Sequence, residues 1–288
     1  MDREFFTAGD GCRIAYRFDG PADAPVLMLS NSLGTDMGMW APQMDMWTRG
    51  FRVLRYDQRG HGASDAPVGG YSLDRLGRDV LELLDMLALD AVDFCGLSLG
   101  GMTGQWLGIR GDRRIRRLIL ANTSSYMGPP NAWDTRIATV LRDGMAPLAQ
   151  ASVERWFTGD FAAREERAIA PIVAMLQATD RHGYTGCCAA IRDMDMRRTV
   201  TLVEKPTLVI GGTEAFRDRL WDTGYRGLTE DGQYYGFSLA LGSAEVTLLE
   251  QAAAYRSFAL GGHLETKICH GDANPALRKT VVIGSCLL

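Results

Sequence analysis

The chain has 288 residues, 46% of them hydrophobic and 23% charged, enough to bury a sizeable core in one large domain or in one domain with an insertion. A net charge of -4 with dispersed basic residues lacks the electrostatic footprint of a nucleic-acid binder, and no apolar run approaches the ~20 residues that a membrane span needs. The N-terminal "MDREFFTAGD" is charged with no apolar block after it, and Cys12, Cys95, Cys187, Cys188, Cys269 and Cys286 lack disulfide-framework or zinc spacing, so a soluble protein with reduced thiols in the cytoplasm is expected.

In chain order, "EFFTAGDGCRIAYRF" reads as a hairpin. "PVLMLS", bounded by Pro25 and a turn at Asn31–Gly34, reads as a buried strand, and "FRVLRYD" as a second. In "SLDRLGRDVLELLDML", Leu73, Leu76, Val80, Leu83 and Leu87 recur at helical spacing behind Ser72, a suitable N-cap. "AVDFCGLS" (strand), "GGMTGQWLGIR" (helix), "IRRLILANT" (strand) and, much later, "KPTLVIGG" (strand) continue the alternation. This pattern predicts an α/β fold with a mostly parallel sheet covered by helices on both faces.

Between "LILANT" and "KPTLVIGG" the alternation stops. Segments such as "DTRIATVLRDGMAPLAQASVERWF" and "EERAIAPIVAMLQATD" are helical in period, so residues 124–201 are expected to form a helical cap over a core made of residues 1–123 and 202–288. Ligands of open parallel sheets bind outside the carboxyl ends of the strands, where such an insertion would roof the site.

A bare Gly-x-Ser-x-Gly arises by chance in roughly one chain of this length in ten, so its context decides. Here "GLSLG" closes a predicted strand and opens a predicted helix, the setting that exposes a nucleophilic serine, Ser98, on a sharp turn. Gly96 and Gly100 leave room for the turn, and Gly101 and Gly104 let the helix lie close to the strands. An oxyanion needs donors. The Leu99 N–H stands at the positive end of the helix, and the Leu33 N–H, in "NSLGTD" after the "PVLMLS" strand, is the second candidate by position.

"LSNSLGTDMGMWAPQM", "FRVLRYDQRGHGASDAP", "FCGLSLGGMTGQWLG" and "RWFTGDF" together resemble the 3-oxoadipate enol-lactonases, α/β-hydrolases of the β-ketoadipate route of aromatic catabolism, from the N-terminus to about Thr213. The resemblance implies a small cap, no cofactor, and as substrate a small-molecule lactone carrying a carboxylate; the cysteine and histidine spacing leads to no expected metal. Trp156 and Arg155, in the cap segment "ERWFTGDF", are candidates for the substrate pocket, with Arg155 facing the carboxylate. No nucleic-acid or membrane partner is expected, and homo-oligomerisation stays open.

The serine also needs a histidine and an orienting carboxylate, in the chain order Ser, acid, His. His61 in "DQRGHGAS" is read as structural and His182 as a cap surface residue. His263, after the apolar Phe258–Leu260 and a Gly-Gly pair, resembles the family's catalytic histidine, and His270 in "CHGD" lacks a comparable strand before it. Where the family has its aspartate, "IGGTEAF" has Ala215. Glu214 beside it and Asp231 further on are the candidate acids, with Asp218 and Asp222 behind them. A broader carboxylic-ester hydrolase and a catalytically silent scaffold with a divergent last quarter are the competing expectations.

Overall fold

A computed structural model describes residues 3–157, 159–210 and 280–282. Strands β1 (Glu4–Thr7) and β2 (Arg13–Asp19) form the expected hairpin, and β3 (Val26–Ser30) leads into a 3-10 helix over Met37–Gln43 and the short helix α1 (Met44–Trp47). Then come β4 (Arg52–Tyr56), α2 (Leu73–Met86), β5 (Val92–Leu97), α3 (Leu99–Arg110) and β6 (Ile115–Ala121). The helices α4 (Pro130–Asp143), α5 (Ala146–Trp156), α6 (Gly159–Arg164), α7 (Glu166–Ala178) and α8 (Arg181–Asp193) separate β6 from β7 (Thr207–Ile210), and β8 (Thr280–Val282) comes last.

The sheet runs in the order β1-β2-β4-β3-β5-β6-β7-β8, antiparallel in its first three strands and parallel from β4 onward. Both β3 and β5 are buried along their whole length, as befits central parallel strands with helices on either side. Helix α2 turns Leu73, Leu76, Val80 and Leu83 inward, and the Ser72 hydroxyl caps it by accepting from the Arg75 amide at 3.1 Å. From sequence the tail "NPALRKTVVIGSCLL" reads as helix-like, whereas Thr280–Val282 is a strand pairing parallel with β7, in keeping with the stiff, β-branched Thr-Val-Val.

The helices between β6 and β7 pack through two clusters. Trp133 and Val140 of α4 and Tyr184, Cys187, Cys188 and Ile191 of α8 share a hydrophobic cluster with Leu73 and Leu76 of α2 and Leu99 and Met102 of α3. By contrast, α5 and α7 meet in a smaller cluster around Val153, Phe157 and Ile169. Helix α8 also lies hard against the turn after β4. A Cβ on Gly60, whose φ is +79°, would come within 2.4 Å of the Gly183 Cα, so neither position accepts a side chain.

That turn is fixed from below by charge. Arg59 donates to Asp79 of α2 at 2.6 and 2.7 Å and to Asp10 of the hairpin at 2.8 Å, with the Arg59 and Asp79 side chains only 3% and 2% exposed. Removing one partner of such a buried pair strands the other charge, so Asp79→Asn is expected to cost about 3 kcal/mol of unfolding free energy in denaturant titrations. The exposed pair of Arg78 and Asp74, four residues apart on the same helix, is a matched control. Asp74→Asn should cost no more than about 0.5 kcal/mol, and equal losses at the two sites would contradict the role given to Arg59.

Candidate active site

Ser98 sits between β5 and α3 with φ 54° and ψ -111°, a backbone conformation that residues with a Cβ rarely adopt. Strand β6 holds it there. The Ser98 N–H donates to the Ala121 carbonyl at 2.9 Å, and the Thr123 hydroxyl donates to the Ser98 carbonyl at 2.8 Å. The flanking glycines are obligatory for reasons of space: a Cβ on Gly96 would stand 2.2 Å from the Gly100 carbonyl oxygen, and one on Gly100 would stand 2.1 Å from that of Ser30. The half-buried side chain of Ser98 thus projects from a turn that the sheet keeps sharp.

The loop after β3 is held on every side. The Asn31 carbonyl accepts from the Gly100 N–H at 3.0 Å and from Gln58 Nε2 at 2.6 Å. Its side-chain amide donates to the Tyr56 carbonyl and accepts from Trp40 Nε1, both at 2.8 Å. The Ser32 N–H points to Met39 Sδ at 3.4 Å and the Gly34 N–H donates to His61 Nε2 at 2.9 Å, which leaves the Leu33 N–H between them without a partner among the described residues. The Leu99 N–H, at the first position of α3, is likewise unclaimed among the described residues. Two free amides beside a strained serine are what an oxyanion requires.

His61 is part of this scaffold. Because Nε2 accepts from Gly34, its proton is on Nδ1, 3.2 Å from the Arg59 carbonyl. Complete burial drives its pKa down to about 4, against smaller opposing effects of the Arg59 carbonyl and the charges of Asp36 and Asp180. Asp57, also fully buried, accepts from the Met37 and Ala63 amides at 2.7 and 2.9 Å and ties the same turn to the 3-10 helix.

A cavity of about 450 Å³ opens at the carboxyl ends of β3, β5, β6 and β7. Leu33, Ser98, Asn122, Thr123 and Ile210 form its floor, and α4, α5, α7 and α8 roof it with Trp133, Arg136, Arg155, Trp156, Ile172 and Tyr184. Ser98, Leu33, Arg155 and Trp156 therefore face one space. Burial pushes the Arg155 pKa below its usual value, and the charge of nearby Arg136 adds to the effect. Neither arginine has a carboxylate within ion-pair distance among the described residues. Arg136 and Gln43, another wall residue, were not singled out from sequence. Arg136 stands three residues after buried Trp133, a helical spacing that could have flagged it.

No histidine and no carboxylate lines the cavity among the described residues. The expected base, His263, and the candidate acids, Glu214 and Asp231, lie outside the described residues, as do His270, Asp218 and Asp222.

Residues 25–233 match the model of the alpha/beta hydrolase fold family. The chain is 40% identical to 3-oxoadipate enol-lactonase 2 of Acinetobacter baylyi over 212 residues, covering 74% of this chain and 79% of that protein. Among solved structures, the enol-lactonase from Burkholderia xenovorans superposes with a TM-score of 0.71 at 44% identity over 73% of this chain and 82% of its own. A hydrolase from Pseudomonas aeruginosa does so with a TM-score of 0.72 at 50% identity over 73% and 80% of the two chains.

The buried imidazole has a consequence in solution. With a folded pKa of about 4 against 6.5 unfolded, the native state binds fewer protons in this window, so the contribution of His61 is lost as pH falls through it. Between about pH 7 and pH 5 the wild type should lose about 2 kcal/mol more stability than His61→Gln, read from denaturant midpoints. Parallel pH curves for the two proteins would contradict a neutral, scaffold-bound His61.

Proposed function

Because this chain belongs to the 3-oxoadipate enol-lactonase family of the alpha/beta hydrolase fold, a family of lactone-cleaving hydrolases, we propose that it hydrolyses 3-oxoadipate enol-lactone to 3-oxoadipate through a serine acyl-enzyme in aromatic catabolism. The observation that most supports this is the strained Ser98 facing a cavity with the Leu33 amide on one side and the Leu99 amide at its own helix terminus. Ser98 Oγ attacks the lactone carbonyl while His263 takes its proton, and Glu214, or Asp231 in its place, orients the imidazole. The two amides hold the oxyanion, each worth about 3–4 kcal/mol in the transition state.

Collapse of the tetrahedral intermediate breaks the bond to the ring oxygen. That oxygen leaves as an enol, protonated by His263, and stays tethered to the acyl group. Water activated by the same histidine then releases Ser98, and the enol tautomerises to the ketone. The substrate carboxylate has its counter-charge in the roof. Arg155, with Arg136 beside it, meets it there, and the two guanidinium groups gain the counter-ion that the protein does not supply within ion-pair reach among the described residues. Trp156 closes the apolar side of the ring.

Ser98→Ala is expected to fold as the wild type does and to retain no more than a few per cent of enol-lactone hydrolysis, and a fluorophosphonate probe should label the wild type alone. Unlabelled wild-type protein would favour a silent scaffold. Equal turnover of enol-lactone and p-nitrophenyl acetate would favour a broader ester hydrolase. Arg155→Ala and Trp156→Ala should raise KM more than they lower kcat, since roof residues contribute mainly uniform binding. A loss confined to kcat would remove them from the substrate pocket.

A further inference from the structure

Gln43 ends the 3-10 helix Met37–Gln43, is 4% exposed, and lines the cavity. Neither its Nε2 nor its Oε1 has a hydrogen-bond partner among the described residues. The large majority of buried side-chain polar atoms have a hydrogen-bond partner, so an amide unpaired at both ends needs an explanation. Gln58 and Gln105 each have one orphaned oxygen, but Gln58 is anchored through Nε2 to the Asn31 carbonyl at 2.6 Å, and neither lines the cavity. Gln43 alone among these three combines two open ends with a place on the cavity wall.

Its position is set by the loop that carries the Leu33 amide. Side chains three apart eclipse on a 3-10 helix, so Gln43 shares a side with Trp40, which is anchored by its indole N–H to Asn31 Oδ1 at 2.8 Å. Both residues line the cavity together with Ser32 and Leu33, whereas Arg136 and Arg155 line it from α4 and α5. The cavity thus has a cationic region in its roof and a neutral amide on the wall that adjoins the oxyanion loop.

We propose that Gln43 is a specificity-determining residue that hydrogen-bonds the oxygen at the 3-position of the ligand, the ring oxygen of the lactone that becomes the enol and then the keto oxygen of the product. An amide suits an oxygen that changes character in this way. Its N–H donates to the ring or keto oxygen, and its carbonyl accepts from the enol hydroxyl. Carboxylate recognition falls to the arginines, so the two subsites read different ends of one molecule. This inference rests on the enol-lactone reading of the cavity.

A ligand cycle separates the two. Adipate is 3-oxoadipate without the keto oxygen, and binding of both acids to the wild type and to Gln43→Met is measured by calorimetry. The wild type should bind 3-oxoadipate about tenfold tighter than adipate, and Gln43→Met should bind the two alike, as expected for a single hydrogen bond at a desolvated site. The variant should also melt above the wild type without ligand, since it removes two unsatisfied buried atoms, and its KM for the enol-lactone should rise about tenfold with kcat within about threefold. Retention of the keto preference by Gln43→Met, or its absence from the wild type, overturns the role of Gln43 while leaving the enol-lactone reading in place. Failure of the wild type to bind either acid or to turn over the lactone overturns that reading and this inference with it.

Discussion

The site depends on Asn31. Its carbonyl oxygen accepts from the Gly100 N–H of the elbow helix and from Gln58 Nε2, and its side-chain amide donates to Tyr56 at the end of β4 and accepts from Trp40 of the 3-10 helix. One fully buried residue therefore ties the loop that carries the Leu33 amide to three neighbouring pieces of chain: the elbow helix, the end of β4 with the turn after it, and the 3-10 helix. Catalysis by preorganised donors requires that they do not move as charge develops, because reorganisation would cost what the interaction gains. Neutral His61 and buried Asp57 extend the same frame, and each spends its hydrogen-bonding capacity on main-chain groups of neighbouring turns.

Around this frame the protein tolerates several unfavourable local states. Ser98 has a positive φ, Gln43 carries an amide open at both ends, and Arg136 and Arg155 face the cavity with no carboxylate in ion-pair reach among the described residues. Strain of the kind at Ser98 costs on the order of 1–3 kcal/mol and persists only where the surroundings over-determine it. The hydrogen bonds of Ser98 with Ala121 and Thr123 and the cluster that joins α2, α3, α4 and α8 are such surroundings. The roof helix α5, which bears Arg155 and Trp156, packs mainly through the smaller cluster with α7, while its Leu148 reaches the larger one.

Much of the core was legible in the sequence because its signals are local. Strands β3 and β5 are unbroken apolar runs, α2 repeats leucines at helical spacing behind a serine cap, and the glycines of "GLSLG" report a backbone approach that only glycine permits. Gln43 was not legible, because nothing in a single glutamine within the apolar segment "MGMWAPQM" says that the fold will turn it toward a cavity, and the one signal for Arg136 was its helical spacing from Trp133. The strand at Thr280–Val282 was missed for a related reason. Three β-branched residues inside a mixed tail are too short a run to outweigh a helical reading, and it is the edge of β7 that gives them partners.

Acylation of Ser98 by a lactone in this cavity would leave a direct chemical signature. Because the leaving oxygen of a lactone stays attached to the acyl group, the acyl-enzyme carries the whole substrate. The protein mixed with 3-oxoadipate enol-lactone and quenched in acid within milliseconds should gain the full mass of the lactone, and peptide mapping should place it on Ser98. Turnover of the lactone with no adduct at any quench time, or an adduct on another residue, would contradict it.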